Sequence, residues 1–391
     1  MLELLKIKVT GFKLLEDDCT LDLTARARVY QEDKREIKEI DKSLYLLTTN
    51  AFVGGNSSGK STVLSLILKT LLFLQTGRWK YNPNEFNRDE IFLEVIFYLD
   101  SFLYQYKGVF KKIDLSKNNL DDIYASIQDI SLKKLRYDKT KGIKNIDLIS
   151  KGETLNDLFS MSLDDTSAIK KITSKQVLVD DFSNNNVFTF NDNIFRNSFF
   201  SSLNSCSKEL LSSILRLLDD SIEYLECVDS DHVKFKRYNK KEEILSNLNL
   251  VSLLSSGTFR GIELYIRCIN AIKYGKTIIV DEIEDCFQKN LVYNLLFLFN
   301  DASINISGAK LFFSTHYVEI LDYLNRRDGI FITHKENGYI NIKNLYSDYK
   351  VRTELLKSKQ FDNNVFNTAL NYQQLLEVRR TLVNELQTHN D

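Results

Sequence analysis

Apolar and polar positions fall into short runs, and their period separates strand from helix. Leu4–Val9 alternates, with Lys6 and Lys8 between apolar residues, and predicts a strand. Gly11-Phe12 predicts a turn and Cys19–Leu23 a returning strand, while the charged stretch 31–43 predicts a loop. Leu44–Val53 is a strand-like run that ends in glycines, and Thr62–Gln75 is apolar and of helical length. Residues 91–110, rich in β-branched and aromatic side chains, predict a hairpin. From 111 to 220 the text shifts to Lys, Asp, Asn and Ser. Leu120, Ile123, Ile127 and Ile130 follow helical spacing there, which predicts a mostly helical insertion without coiled-coil heptads. Beyond it the pattern predicts a hairpin over 222–238, a helix over Thr258–Tyr274 and a buried strand over Thr277–Val280. A helix over Asn290–Phe299, a strand over Lys310–Ser314, a helix over Tyr317–Asn325 and a helical tail over 351–386 follow. Strands that alternate with helices predict an α/β fold around a parallel sheet. The chain divides into a core in two pieces, 1–110 and 222–350, an insertion 111–221, and a tail 351–391.

Composition narrows the function classes. Across 391 residues, 52 Lys+Arg against 53 Asp+Glu leave a net charge of −1, which excludes a histone-like polycation and an acidic tail. Pro83 is the only proline, so Pro-rich and collagen-like architectures are excluded. The start, Met1-Leu2-Glu3-Leu4-Leu5-Lys6, lacks a signal-peptide layout, and no apolar run reaches the roughly 20 residues of a membrane span. Cys19, Cys206, Cys227, Cys268 and Cys286 are scattered and form no CxxC pair, which predicts reduced thiols in a cytoplasmic protein without a membrane partner. His232, His316, His334 and His389 are too dispersed for a His-rich metal site.

The strongest chemical signal is Gly54-Gly55-Asn56-Ser57-Ser58-Gly59-Lys60-Ser61, a full GxxxxGK[ST] between a predicted strand and a predicted helix. Glycines let successive N–H groups curl around a polyphosphate, and the helix starting near Lys60 adds the positive end of its dipole. Gly54 through Thr62 are therefore the candidate ATP-binding residues, with Lys60 on the β and γ phosphates and the Ser61 hydroxyl on Mg²⁺. Thr277-Ile278-Ile279-Val280-Asp281-Glu282 is an apolar strand ending in two carboxylates. Asp281 is the candidate second Mg²⁺ contact and Glu282 the candidate base for the attacking water.

Two further pieces carry a resemblance. Leu254-Ser255-Ser256-Gly257-Thr258 precedes a helix and resembles the LSGGQ signature of ABC-type ATPases, and Leu311-Phe312-Phe313-Ser314-Thr315-His316 resembles their switch strand. With the order P-loop, signature, Asp-Glu strand, Ser-Thr-His strand, the chain resembles ABC-type ATPases of the OLD/RecF/SMC-like branch. Within that branch it is similar to the AAA-type ATPases encoded beside restriction and abortive-infection genes. Leu5–Lys13, Arg326-Arg327-Asp328-Gly329-Ile330 and Tyr349–Glu354 extend the match over about 1–110 and 222–360. Phe287-Gln288-Lys289 stands where such ATPases carry Leu-His-Pro, and Gln75, Asn84 and Gln105 are open candidates for the Q-loop glutamine.

The resemblance implies an ABC-ATPase head, a P-loop parallel sheet with an antiparallel lobe, that hydrolyses ATP to ADP and phosphate. It implies a homodimer in which Ser255, Ser256 and Gly257 of one chain meet the γ-phosphate bound by the other, with His316 as γ-phosphate sensor. It further implies an anti-phage, abortive-infection-type switch that controls a separate effector nuclease or toxin, with DNA or a phage component as trigger. The alternative is a RecF-like DNA repair clamp. The basic runs Lys133–Lys144 and His232–Lys241 are the candidate nucleic-acid contacts. Asp229-Ser230-Asp231 spells a TOPRIM-like pair but sits where a hairpin turn is expected.

Overall fold

The computed structural model describes residues 2–113, 123–155, 169–173, 179–182, 203, 206–229, 231–285, 287–350, 355–368 and 372–388. The first strands are β1 (Glu3–Thr10), β2 (Cys19–Asp22), β3 (Ile37–Asp41), β4 (Leu44–Leu47), β5 (Thr49–Val53), β6 (Glu90–Leu99), β7 (Phe102–Lys111), β8 (Ser126–Arg136) and β9 (Glu153–Thr154). They are followed by β10 (Val179–Phe182), β11 (Ile222–Cys227), β12 (His232–Arg237), β13 (Glu243–Ser246), β14 (Thr277–Val280), β15 (Lys310–Thr315), β16 (Ile330–Glu336) and β17 (Tyr339–Asn344). The longer helices are α1 (Lys60–Thr76), α2 (Lys208–Leu218), α3 (Asn247–Leu253), α4 (Ser256–Tyr274), α5 (Lys289–Asn300), α6 (Lys357–Asp362) and α7 (Tyr372–Thr388).

The central sheet runs β10-β14-β15-β5-β16-β17, parallel except for β17, which returns antiparallel on β16. Its middle strands β14, β15 and β5 are buried along almost their whole length because both faces are covered. Period two divides the sheet's apolar residues between two cores. Phe52, Ile279, Phe312 and Phe331 face the core shared with α1, β1, β6 and β7. Ala51, Val53, Ile278, Val280, Leu311, Phe313, Ile330 and Ile332 face the core built with α4 and α5. A second sheet, β2-β1-β6-β7-β8-β9, is wholly antiparallel and forms the predicted lobe. β11-β12-β13 makes a separate meander.

Four expectations are corrected. The run Leu44–Val53 is two strands: β4 pairs with β3 and β5 enters the central sheet, with a break at Thr48, whose Oγ1 donates to Asn300 Oδ1 at 2.8 Å. The stretch 31–43 is not a loop; it holds a 3-10 turn at Glu32–Arg35 and β3, whose one buried residue, Ile37, suffices for a half-exposed ribbon. Ile127 and Ile130 lie on a strand, not a helix, because β8 pairs with β7 from Lys111↔Ser126 to Phe102↔Arg136. Leu120 lies outside the described residues. The described part of 111–221 also holds β9, β10, which joins the central sheet, α2, 3-10 turns at Gly142–Lys144 and Ile149–Lys151, and single helical turns at Asn145–Leu148 and Lys170–Thr173, so it is not mostly helical. Tyr317–Asn325 forms only a short 3-10 helix, Val318–Asp322.

Glu3 ties β1 to the central sheet. It is 3% exposed and pairs with Lys310 and, at 3.1 Å, with Lys38. Burial pushes its carboxyl up, but the two ammonium groups together outweigh burial and hold it below the usual 4.5. A depressed folded value stabilises above the unfolded value and is lost as pH falls through the folded one. Glu3→Gln should therefore cost about 3 kcal/mol at pH 7, where it leaves Lys310 without its buried counter-charge. Urea denaturation should show the gap to wild type closing below about pH 4.

Candidate active site

β5 ends at Val53 and α1 begins at Lys60, so residues 54–59 must turn at the carboxyl edge of the sheet. Two glycines make that turn possible. A Cβ on Gly54 would sit 2.3 Å from the Thr333 carbonyl oxygen on β16. Gly59 has φ +105°, and a Cβ there would meet Ile340 Cγ2 at 2.5 Å. Gly59→Ala should combine left-handed strain with that overlap and cost about 2–4 kcal/mol, read by urea denaturation. The Ser58 hydroxyl lies 2.7 Å from Thr333 Oγ1 and pins the loop to β16. No side chain caps α1, so its first N–H groups are available to an anion.

Lys60 is 5% exposed, and its Nζ donates to the Gly54 and Gly55 carbonyls at 3.1 and 3.2 Å. Burial pulls its ammonium below the ordinary lysine range, against the opposing fields of Glu282, Asp281 and Glu284. Those carboxylates follow β14. β15 lies between β14 and β5, with Val280 beside Phe313 and Thr315 beside Val53, so three strand ends meet at one edge. Ser314 Oγ donates to Asp281 Oδ1 and accepts the Glu282 N–H at 2.7 Å. Glu282 takes φ +51°, and the 3-10 turn Ile283–Asp285 follows. A non-glycine residue held in the left-handed region costs of order 1 kcal/mol and is characteristic of functional turns. His316 Nε2 lies 3.6 Å from Glu282 Oε1.

The result is an open cleft of about 580 Å³ lined by Asn56 through Thr62, Glu282 and His316. Gly54 and Gly55 do not line it; they offer carbonyls to Lys60. Asp281 is buried behind it, 6% exposed. Sequence reasoning missed Leu14, Lys335 and Ile340, which complete the lining. Ile340 N–H donates to Leu14 O at 2.7 Å and Glu16 N–H to Ile340 O at 2.9 Å, so the segment after β1 and the start of β17 form one rim. The Ser61 hydroxyl and the Asp281 carboxylate are hard oxygen donors suited to Mg²⁺. Among the described residues no group of three or more His, Cys, Asp and Glu could hold a metal ion. A second cavity, about 490 Å³ between β2 and β17, is lined by Glu16, Asp17, Asp18, Asp22, Arg26 and Asp348, with Asp22 paired to Arg26, Asp18 to Lys8 and Asp17 to Arg88.

The signature stands apart. Ser255 caps α4, its Oγ accepting the Thr258 N–H at 3.0 Å. Around the position of a Cβ on Gly257, the nearest group is Ser255 Oγ at 4.0 Å. No residue of 254–258 lines the cleft, and the Ser256 side chain lies outside the described set. Gln75, Asn84 and Gln105 do not line it either, and Gln105 Nε2 donates to Glu94 Oε1 at 2.5 Å. Much of the basic charge is paired locally. Lys236 meets Glu223 at 2.9 Å, Lys234 meets Glu242 at 3.6 Å, and Lys139 meets Asp41 at 3.5 Å. Asp229 makes a hairpin turn, accepting the Asp231 and His232 N–H groups at 2.7 Å; Ser230 lies outside the described residues, as do Cys286, Val351-Arg352-Thr353-Glu354 and His389. Among the described residues no helix is long and apolar enough to cross a membrane.

Comparison with known proteins agrees with this arrangement in its family. A family described as "AAA domain, putative AbiEii toxin, Type IV TA system" matches residues 49–322. No curated protein matches the chain. Among solved structures, the SMC head domain from Thermotoga maritima is 12% identical with TM-score 0.43, over 88% of this chain and 98% of that one. An SmcHead bound to the C-winged helix domain of ScpA is 14% identical with TM-score 0.42, over the same shares, 88% and 98%.

Proposed function

The chain belongs to the AAA domain family whose description names the AbiEii toxin and a Type IV TA system, and on that premise we propose that it is an ATP-binding and hydrolysing switch of an abortive-infection-type anti-phage defence. The observation that carries the proposal is the meeting of the Lys60 loop, Glu282 and His316 in one cleft. Lys60 and the N–H groups of residues 57–61 bind the β and γ phosphates. Ser61 and Asp281 would hold Mg²⁺, which when bound would neutralise charge on the phosphate oxygens. Glu282, fixed through its own N–H on Ser314, orients the attacking water and takes its proton. His316, which lines the cleft with its Nε2 3.6 Å from Glu282 Oε1, senses the γ-phosphate.

No residue of 254–258 lines the cleft of its own chain, and the nearest group to a Cβ on Gly257 is Ser255 Oγ, at 4.0 Å. A second copy would bring Ser255 and the Gly257 N–H to the γ-phosphate, and a C2 pair would close two such sites. Hydrolysis removes the bridging phosphate and opens the pair. The ATPase core comprises 1–110 and 222–350 together with strands of the 111–221 segment, among them β8 in the lobe and β10 in the central sheet, with 351–391 as a tail, and the protein acts in the cytoplasm. The effector is a separate nuclease or toxin, released on a DNA or phage signal. Acidic partners beside Lys234, Lys236 and Lys139 weigh against a repair clamp that tracks DNA. The test is a pull-down of tagged Glu282→Gln protein from its host in MgATP with mass spectrometry of what co-purifies. A stoichiometric nuclease or toxin supports the reading; DNA and repair factors alone overturn it.

A further inference from the structure

Beyond β14's last residue, Val280, the sheet gives β15 no further partner on that side. The backbone N–H of His316, one residue past β15, therefore has no ladder acceptor from β14. It is satisfied by a side chain: Glu284 Oε1 accepts it. Glu284 reaches there because Glu282 turns left-handed and Ile283, fully buried, anchors the 3-10 turn Ile283–Asp285. The other carboxylate oxygen, Oε2, is buried and makes no hydrogen bond. A carboxylate kept half out of water with one oxygen unsatisfied costs about 1–3 kcal/mol. That cost is tolerated where the remaining bond fixes something that matters.

We propose that Glu284 is a positioning residue for ATP hydrolysis, clamping the His316 backbone so that the imidazole stays against Glu282. The proposal rests on the ATPase reading above. It needs the acceptor at Glu284's reach, not its charge. Gln keeps the oxygen at the same reach without the charge; Asp keeps the charge but withdraws it by one methylene. An error of about 1 Å in such a site costs up to about 100-fold in rate.

The experiment compares Glu284→Gln, Glu284→Asp and Glu284→Ala with wild type. It reads steady-state ATPase, affinity for a fluorescent ATP analogue, and amide hydrogen exchange over residues 315–318. Glu284→Gln should hold kcat within about threefold and keep the His316 amide protected. Glu284→Asp and Glu284→Ala should lose about 30- to 100-fold in kcat, with analogue affinity changed less than about threefold and the amide exchanging faster. Asp near wild type with Gln impaired would overturn the proposal in favour of charge. Affinity falling in step with kcat would overturn it in favour of a general structural role. If Glu284→Ala does not fold, the Gln and Asp pair decides. A wild type that neither binds nor hydrolyses ATP would overturn the ATPase reading itself, and unaltered His316 exchange in Glu284→Asp would then overturn the clamp separately.

Discussion

Lys60→Ala should weaken MgATP binding by at least about 100-fold, a loss of about 2.7 kcal/mol. The Nζ already sits at the loop, held by the Gly54 and Gly55 carbonyls at 3.1 and 3.2 Å. Much of its desolvation is met before a phosphate arrives, since the residue is 5% exposed. Moving from neutral carbonyls to phosphate oxygens exchanges ordinary hydrogen bonds for charge-assisted ones, roughly twice as strong. Removal also takes away the cation that offsets the fields of Glu282, Asp281 and Glu284 near the phosphates. Titration calorimetry of the purified chain with MgATP measures the effect. Lys60→Met, which keeps the aliphatic stem, separates lost packing from lost charge and should bind as weakly as Lys60→Ala. Unchanged affinity in both would place the polyphosphate outside this cleft.

How far the site could be read from sequence follows the distance its residues must travel. The loop 54–61 was legible in full because its requirements are local. Gly54 must admit the Thr333 backbone, and Gly59 must hold φ +105°. Asp281, Glu282 and His316 were legible as strand ends. Their meeting was not, since it depends on β15 lying between β14 and β5, against chain order. Leu14, Lys335 and Ile340 carried no local signal. They reach the cleft through the β16–β17 hairpin and its bonds to the segment after β1. Glu284 carries no motif of its own in the sequence, and the His316 N–H that it accepts gives it a role.

The fold shows the same division. Thr277–Val280 and Lys310–Thr315 were readable because a parallel strand buried on both faces is apolar throughout. Leu44–Val53 is equally apolar, yet the chain changes sheets at Thr48, and hydropathy holds no trace of that. Ile123, Ile127 and Ile130 match a helical period by coincidence. The long antiparallel register of β8 on β7 overrides local preference there.

Glu282→Gln should lower kcat by about 10²- to 10⁴-fold while leaving ATP bound, and so accumulate an ATP-held dimer. The substitution is nearly isosteric, and the backbone bond from the 282 N–H to Ser314 Oγ at 2.7 Å does not involve the altered group. The left-handed turn at φ +51° is therefore kept, and Glu284 still reaches His316. What disappears is the only carboxylate among the described cleft-lining residues, hence the proton acceptor for water. It also removes one negative charge from beside the phosphates, so ATP affinity should hold or rise. Without hydrolysis, the phosphate that joins Lys60 of one chain to Ser255 and Gly257 of the other stays in place. Light scattering behind size exclusion should then report twice the chain mass with MgATP and the chain mass with MgADP. Wild type should pass through the dimer only transiently, at a lifetime set by turnover. A monomer in saturating MgATP would mean that the face at Gly257 does not complete a partner's site. Unreduced turnover would mean that another group accepts the proton.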